Sequence, residues 1–319
     1  MSFKYTLQCD TLPWVGYNVL ETPEQVIEAA VEAGFDGIDL PGNPEKMDGK
    51  EWRRRVEAAG LVVPEVLGAW GYYHAGEERN LASSNLEKRL HAVQYAKDTV
   101  DLAADVGASF TELCAAQPAV PELPFPIEPV EQMRDNFRTS ICEICEHASN
   151  RGIHILLEPL NTYEGLPEVL TTIYQAVNYV DELGLANLGV QPDVFHMNIE
   201  EGSIPDALRY AGSRIKHFHL NETNHCEHGT GHADYQEIFK ILKGIGYDGF
   251  MCTYMPKMSQ AILQSAPGNP YVPEGNISDD NGARPDLVDV LKGLLRFLKE
   301  IEKTVDLSRE FYEAEGFRH

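Results

Sequence analysis

One pattern of apolar and polar positions recurs along most of the chain. An amphipathic stretch is followed by a glycine, which can end a helix in the left-handed conformation, and then by a short apolar run rich in β-formers. In the first copy, Thr22 and Pro23 supply a cap and a first helical residue, and Gln25 can complete a capping box. The glycines in this position are Gly34, Gly60, Gly107, Gly152, Gly184 and Gly246.

This repeat predicts a parallel sheet, because short strands separated by helices cannot pair as hairpins. Adding strands at Tyr5–Cys9 and Lys216–Leu220 brings their number to eight, which closes a (β/α)₈ barrel. An open doubly wound sheet is the alternative, but no G-x-G-x-x-G follows the first strand. We therefore predict an α/β chain whose residues 1–303 form a single-domain (β/α)₈ TIM barrel.

Two segments near the carboxyl terminus fall outside the repeat. Residues 255–284 form an expected long loop after strand eight, a length typical of lids and subunit contacts. A final helix from about Pro285 to Lys303 is expected to close the barrel. Residues 304–319 remain as an arm that packs on a neighbouring subunit or frays.

A polar or titratable side chain stands at almost every predicted strand end. In a barrel these ends meet at one mouth, where such enzymes place their chemistry. Polar residues also mark ordinary entries into loops, and for Glu65 and Glu112 we weigh the two interpretations equally. The residues are Asp10, Asp39, Glu65, Glu112, Glu158, Asp193, His219 and Tyr254.

Three of these strand ends combine into a candidate metal site. Glu158, Asp193 and His219 each follow or end an apolar strand, within the segments His154–Glu164, Val190–Glu201 and Lys216–His225. Two carboxylates with one imidazole suit Mn²⁺, Mg²⁺ or Co²⁺, and no thiolate is present to favour structural zinc. The pattern predicts an open divalent site, with Mn²⁺ as the first choice.

Composition and charge narrow the function classes. Lys and Arg total 26 against 50 Asp and Glu, a formal net charge of −24 that repels phosphate backbones and anionic lipids. The amino-terminal residues lack a leader pattern, and no run approaches the ~20 apolar residues that span a bilayer. Six scattered cysteines indicate reduced thiols. We expect a cytoplasmic protein without nucleic acid or membrane partners.

The last four strands resemble the xylose-isomerase-like barrel superfamily, and in particular the ketose 3-epimerases typified by D-tagatose and D-psicose 3-epimerases. The family motif E-x-x-N-R-x-E corresponds to Glu158–Glu164, L-D-T-F-H-M-N to Pro192–Asn198, and H-F-H-L to residues 217–220. The resemblance implies Glu158, Asp193 and His219 as metal ligands. It also implies Glu164 and His196 as substrate-binding residues, and a homo-oligomer, either dimer or tetramer.

The chain departs from this family at two positions. His225 stands where the family has an arginine, six residues beyond the strand-seven histidine, and Tyr254 stands where the family has the strand-eight glutamate. In the family, that glutamate is the fourth metal ligand and the second group that transfers a proton. A phenol with a pKa near ~10 is a poor ligand and a poor base at neutral pH.

The residues that match the family motifs predict a metal-dependent isomerase or epimerase of a ketose or related small carbohydrate. Glu158 is expected to remove a carbon-bound proton to form a metal-stabilised enediolate, with Tyr254 or His225 as the general acid and His225 also binding substrate. A lyase that β-eliminates from a keto-sugar or 3-keto glycoside is the second hypothesis. A barrel that binds a sugar without turnover is the third.

The remaining histidines and cysteines are expected to be structural. Cys142 and Cys145 form a lone C-x-x-C on a predicted helix, which cannot complete a tetrahedral metal site. We interpret His228 and His232 as solvated loop residues. His217 and His154 are expected to be hydrogen-bonded core residues. Substrate choice is assigned to loops around Trp14, Trp70 and Tyr254.

Overall fold

The computed structural model describes residues 2–68, 79–115, 128–256 and 285–314. Trp70 and positions 257–284 of the expected long loop lie outside these residues, as does the end of the expected arm from 315 onward. Within the described chain, no helix is both long and apolar enough to cross a membrane.

The strands of the described residues all pair in parallel, as the repeat predicts. They form a four-stranded sheet in the order β2-β1-β7-β6 and a three-stranded sheet in the order β3-β4-β5. The bounds are β1 Lys4–Gln8, β2 Gly37–Asp39, β3 Phe110–Leu113, β4 His154–Leu157, β5 Leu188–Val190, β6 Phe218–Leu220 and β7 Phe250–Thr253.

Isolated bridges join the two sheets at both edges and complete the ring. Residues 62–66 occupy the place of the remaining expected strand, bridging β2 at Gly37↔Val62 and β3 at Glu65↔Phe110. Pro64 in this segment has no N–H to donate, which accounts for isolated bridges instead of a regular ladder. On the other side, bridges Val190↔Ile215 and Asp193↔His219 connect β5 with β6. The eight segments therefore enclose a barrel.

Helices follow the strands and surround the barrel. Each of the six glycines that the repeat singles out has a positive φ, between 59° and 89°, as a helix end in the left-handed conformation requires. The helices are α1 Pro23–Ala33, α2 Gly49–Ala58, α3 Leu86–Val106, α4 Val130–Arg151, α5 Ile173–Leu183, α6 Val194–Glu200, α7 Ile204–Ala211, α8 Tyr235–Gly244 and α9 Leu287–Ala314, with 3₁₀ helices at Cys9–Val15 and Gly212–Arg214. Helix α9 packs against α1 and α8 and closes the outer layer.

Two local expectations differ from the structure. Thr22 precedes α1 but makes no side-chain cap, and its hydroxyl instead donates to the Asn18 carbonyl at 3.2 Å. A complete capping box occurs instead at Thr172 and Gln175 before α5. The last helix continues to Ala314, beyond the expected end at Lys303.

The mouth end of the barrel interior is polar, whereas barrel interiors are usually filled by branched apolar side chains. Gln191, which follows β5, lies 2.8 Å from Glu112 and 3.2 Å from Glu65, so side chains from non-adjacent strands meet in the centre. Five carboxylates here are at most 1% exposed: Asp39, Glu65, Glu112, Glu158 and Asp193. The fold therefore concentrates buried charge at the strand ends.

Candidate active site

Backbone bonds of the barrel position the three predicted ligands. The Glu158 N–H donates to Leu113 O at 3.1 Å, which holds this residue at the end of β4. The Asp193 carboxylate caps α6, with Oδ1 accepting from Phe195 N at 2.7 Å. The bridge Asp193↔His219 aligns Asp193 with β6. The three side chains thus come from rigid, neighbouring elements.

Glu158 and Asp193 both face one nitrogen of His219. His219 Nδ1 lies 2.8 Å from Glu158 Oε1 and 3.9 Å from Asp193 Oδ2. Oδ2 is buried and has no hydrogen-bond partner among the described residues, while Oδ1 is used by the helix cap. A buried carboxylate oxygen that accepts no hydrogen bond is an atom that can coordinate a cation. The group fits a divalent ion.

Burial and mutual charge set the protonation of these groups. Burial alone would raise the pKa of Glu158, but the charge of His219 and its hydrogen bond outweigh burial and lower that pKa. Burial would lower the pKa of His219, but the neighbouring charge of Glu158 raises it well above its ordinary value. Burial raises the pKa of Asp193. Glu158 is therefore an anion paired with a protonated imidazole.

The second nitrogen of His219 faces a different pair of groups. Nε2 lies 3.1 Å from Glu65 Oε2 and 2.8 Å from Gln191 Nε2. Histidines that bind metals through one nitrogen generally donate the other N–H to a carboxylate or carbonyl, which fixes the ring. Glu65 stands in that position. Glu112 joins the same cluster through Gln191.

Tyr254 completes the surroundings of His219 Nδ1. Its hydroxyl lies 2.9 Å from that nitrogen, and the side chain is 8% exposed. Burial, together with the charges of Glu158 and Asp193, raises the pKa of Tyr254 well above its ordinary value. The residue that follows β7, the eighth strand of the sequence prediction, is therefore a neutral phenol beside the candidate ligands.

Residues 27–279 match the family described as xylose isomerase-like TIM barrel. The chain belongs to this family. A ketose 3-epimerase of Arthrobacter globiformis is 29% identical over 243 residues, which cover 76% of this chain and 80% of that protein. A 3-dehydro-D-guloside 4-epimerase of Escherichia coli is 24% identical over 238 residues, covering 72% and 86%. The solved structure of an L-ribulose 3-epimerase superposes with a TM-score of 0.77 at 22% identity, covering 100% of this chain and 99% of the other, and shows the shared fold.

In this xylose isomerase-like barrel, two of the three predicted substrate-binding side chains, His196 and Glu164, lie close to each other. His196 Nδ1 accepts from the Asn161 N–H at 3.2 Å and lies 2.8 Å from Asn161 Nδ2. Glu164 Oε2 is 3.7 Å from the same nitrogen. Because Nδ1 accepts, the proton of the neutral ring is on Nε2. His196 can thus donate a hydrogen bond from Nε2.

His225 lies in the loop after β6, against aromatic rings. Its ring centroid is 3.6 Å from that of Phe195 and 5.0 Å from that of Trp14. Trp14 in turn is 6.2 Å from Tyr254. The φ of His225 is 57°, a left-handed conformation that is costly for a residue with a Cβ and recurs at functional sites. The Trp14 ring is thus in contact with both His225 and Tyr254.

The expectations for the other histidines are partly wrong. His228 is 8% exposed and bonded at both ring nitrogens, to Tyr235 and Thr253 at 2.7 Å each, because the loop folds back over β7. His154 is exposed, since β4 begins there and its first side chain lies at the rim. His217 is a buried core residue 3.0 Å from Asp39, as expected, and His232 is exposed.

The C-x-x-C pair lies on a helix, as expected, and one other thiol contacts the site. Cys142 and Cys145 are free thiols on α4, and only Cys145 is buried. Cys114, which follows β3, donates to Glu158 Oε2 at 3.5 Å. Sequence reasoning missed both Cys114 and Gln191. The signal for Gln191 was a polar residue two positions before Asp193, on the same side of an extended segment.

Proposed function

We propose that this chain is a divalent-metal-dependent isomerase or epimerase of a ketose or related keto-sugar, working through an enediolate. The observation that carries the proposal is the convergence of Glu158, Asp193 and His219 around a buried carboxylate oxygen without a partner among the described residues. Relatives named ketose 3-epimerase and 3-dehydro-D-guloside 4-epimerase support the substrate class.

The donor set supports a hard divalent ion. Two carboxylates and one imidazole favour Mn²⁺, with Mg²⁺ or Co²⁺ as alternatives. When bound, such an ion supplies positive charge that stabilises the enediolate form of a keto-sugar.

Glu158 is positioned to act as the base. His219 holds its Oε1 and Cys114 holds its Oε2, so the carboxylate has little rotational freedom. The lowered pKa of Glu158 keeps the carboxylate ionised and ready to accept a proton. We propose that it takes the proton from the carbon beside the substrate carbonyl, leaving the electron pair in the enediolate.

The other site residues orient substrate oxygens and return protons. His196 Nε2 donates to a substrate oxygen, since Asn161 occupies Nδ1. Glu164 accepts from a substrate hydroxyl. Tyr254 keeps its proton because burial raises its pKa, so it serves as the general acid, and His225 is the alternative donor and a substrate contact.

Solvent-deuterium incorporation tests the proposal. The Mn²⁺-loaded protein is incubated in D₂O with D-fructose, D-psicose, D-tagatose, L-ribulose and a 3-keto-glucoside, and carbon-bound deuterium is measured. We expect metal-dependent incorporation into at least one sugar, lost in Asp193→Asn. Absence of exchange with every sugar would contradict the proposal.

Tyr254 favours one second candidate, β-elimination from a keto-glycoside. A phenol can protonate the oxygen that leaves in an elimination. Epimerisation needs a proton on the opposite face of the carbon, and Glu158 alone would return the proton to the same face. The assay is release of the aglycone from a 3-keto-glucoside. Release together with deuterium exchange would select elimination, and exchange with inversion would select epimerisation.

The proposal also includes a homo-oligomer, dimer or tetramer, as the sequence resemblance implies. Light scattering of the purified full chain measures this directly. A monomer at micromolar concentration would contradict this part alone.

A further inference from the structure

The amide of Gln8, at the end of β1, is buried without a hydrogen-bond partner. Within the described part of the chain, both of its polar atoms, Oε1 and Nε2, are unpaired, and the residue is 1% exposed. Gln8 precedes the 3₁₀ helix Cys9–Val15, but its side chain does not cap that helix. A buried amide that pairs neither its donor nor its acceptor costs free energy at both ends. Such a group in a folded protein points to a partner that the chain itself does not supply.

The neighbouring contacts show that this amide points into the barrel. Thr6, two residues earlier on the same face of β1, donates to Asp39 Oδ2 at 2.6 Å. Asp39 in turn lies 3.0 Å from His217, and this contact crosses the interior because β1 and β7 separate β2 from β6. Gln8 therefore faces the interior as well, one layer closer to the mouth than Thr6.

The strand register sets Gln8 beside Tyr254. Leu7 pairs with Thr253 on the parallel strand β7, and the next position along the two strands brings Gln8 opposite Tyr254. The Thr11 hydroxyl fixes this placement, since it donates to Gln8 O at 2.9 Å and accepts at 2.9 Å from the N–H of the residue after Tyr254. Gln8 thus lies on the same wall of the mouth as the proposed general acid.

The chemistry of an amide restricts the ligand that can pair it. Nε2 donates and Oε1 accepts, so the ligand must offer both an acceptor and a donor. Hydroxyl groups do both, whereas an ionised carboxylate accepts hydrogen bonds but has no proton for Oε1. A chain of hydroxylated carbons, as in the part of a keto-sugar away from the reacting carbons, supplies the required groups.

We propose that Gln8 binds hydroxyl groups of the substrate next to Tyr254, with Nε2 donating to a sugar oxygen and Oε1 accepting from a sugar hydroxyl. This inference rests on the proposed function, because it takes the substrate to be a keto-sugar. Gln8 is then a substrate-binding residue that orients the sugar at this wall. The part of the substrate that it contacts is an uncharged, hydroxylated chain.

The variant Gln8→Met separates a ligand-binding amide from a structural one. This near-isosteric change removes two buried polar atoms that the free protein leaves unpaired, so the melting temperature without sugar should stay equal or rise. The matched control is Asn136→Leu on α4, whose buried amide donates to Ala82 O at 3.2 Å and accepts from Gln132 at 3.1 Å. Asn136→Leu should lower the melting temperature and leave sugar binding unchanged. Differential scanning calorimetry of the full chain measures both.

Sugar affinity gives the second measurement. Isothermal titration calorimetry of the Mn²⁺-loaded protein is carried out with D-fructose, D-psicose, D-tagatose and L-ribulose. For the sugar that binds most tightly, we expect Kd to rise about tenfold in Gln8→Met, the effect of one lost hydrogen bond. Deoxy analogues of that sugar identify the group: removal of the hydroxyl that Gln8 contacts should weaken binding to the wild type but not to Gln8→Met.

The outcomes distinguish this inference from the proposed function. A lower melting temperature with unchanged sugar affinity in Gln8→Met, or failure of this variant to fold, would show a structural amide and overturn the inference. Weaker binding in Gln8→Met, with no deuterium exchange in the wild type, would support the inference and overturn the proposed reaction. Exchange in the wild type with unchanged affinity in Gln8→Met would overturn the inference alone. Neither binding nor exchange with any of these sugars would overturn both.

Discussion

The hydroxyl of Tyr254 lies 2.9 Å from His219 Nδ1, the nitrogen that also faces Glu158 at 2.8 Å. A phenol with a raised pKa is thus in contact with the proposed ligand imidazole. It contributes a hydrogen-bond donor where a carboxylate would contribute charge and a short oxygen ligand. This contact makes Tyr254 the residue at which the chemistry of the chain can differ from that of the epimerases it resembles.

Substitution of Tyr254 tests its role. We expect weak or absent activity of the wild type on free fructose, psicose and tagatose. Tyr254→Phe should reduce native turnover by ~10² or more, the contribution of a general acid, while bound metal stays unchanged. Tyr254→Glu should raise either metal affinity or epimerase rate, measured by dialysis and by sugar chromatography. Strong ketose epimerisation that survives in Tyr254→Phe would assign the second proton to another group.

Removal of the imidazole tests the metal site. His219→Ala should lose the ion held with Glu158 and Asp193, since one of three ligands is gone and the charge of Glu158 loses its partner. Elemental analysis after loading with Mn²⁺ or Co²⁺ measures the loss. His154→Ala, at an exposed histidine, is the control and should bind as the wild type does. Equal metal in both variants would exclude this site.

Glu158→Gln separates the base from the ligand role. The amide oxygen retains a weak donor, so some metal should remain, but the variant cannot accept a proton. We expect solvent-deuterium incorporation into substrate to fall by ~10² or more. The comparison is made at saturating Mn²⁺ with measured occupancy. Undiminished exchange in the metal-loaded variant would place the base elsewhere.

His228 predicts a pH dependence of stability. Burial lowers the pKa of His228 to about 4, and the nearby charge of Glu222 only partly opposes this. The unfolded chain binds a proton near the ordinary value of ~6.5, and the folded chain does not until about 4. Its contribution to stability is therefore complete above ~6.5 and falls by up to about 3 kcal/mol as the pH drops toward 4.

Urea unfolding across this pH range measures the effect. In His228→Gln the free energy of unfolding should fall less steeply with decreasing pH, whatever its absolute value. The difference in slope should correspond to about one proton fewer taken up on unfolding. The exposed His232→Gln should keep the wild-type slope. Parallel pH profiles for wild type and His228→Gln would contradict the burial argument.

Glu302 predicts a stability effect far from the site. This α9 carboxylate is 4% exposed, pairs with Lys243 Nζ at 3.1 Å, and accepts from Phe3 N at 2.8 Å and the Tyr5 hydroxyl at 3.0 Å. Glu302→Ala removes the shared acceptor of these hydrogen bonds and the carboxylate of this buried ion pair, so we expect a loss of ~3–5 kcal/mol in the free energy of unfolding. The exposed Glu300→Ala should change it by less than ~0.5 kcal/mol. Similar values for the two variants would show that the buried network contributes little.

Much of the architecture follows from local signals in the sequence. The six glycines end helices or turns because a left-handed residue without a Cβ costs little, and each falls where the repeat places it. Apolar runs after them form parallel strands because intervening helices forbid hairpins. Glu158, Asp193 and His219 could be identified because their positions at strand ends depend only on register along each strand.

Contacts across the barrel could not be predicted in this way. The position of Gln191 between Glu65 and Glu112 joins residues 126 and 79 positions apart, and no period within one strand encodes such a distance. His228 illustrates the same limit, since its burial depends on where the loop returns over β7. Exposure of His154 depended on where β4 begins, and strand bounds are weakly encoded locally.

The sequence by itself therefore determined the number and direction of the strands and which chemical groups stand at their ends. Tertiary structure alone decided which of those groups touch, which nitrogen of His219 faces Glu158, and that Glu65, Glu112 and Gln191 share a buried cluster with it. The physical reason is that side-chain periodicity is a property of one segment, whereas closure of the ring brings together atoms from segments that are distant in the chain.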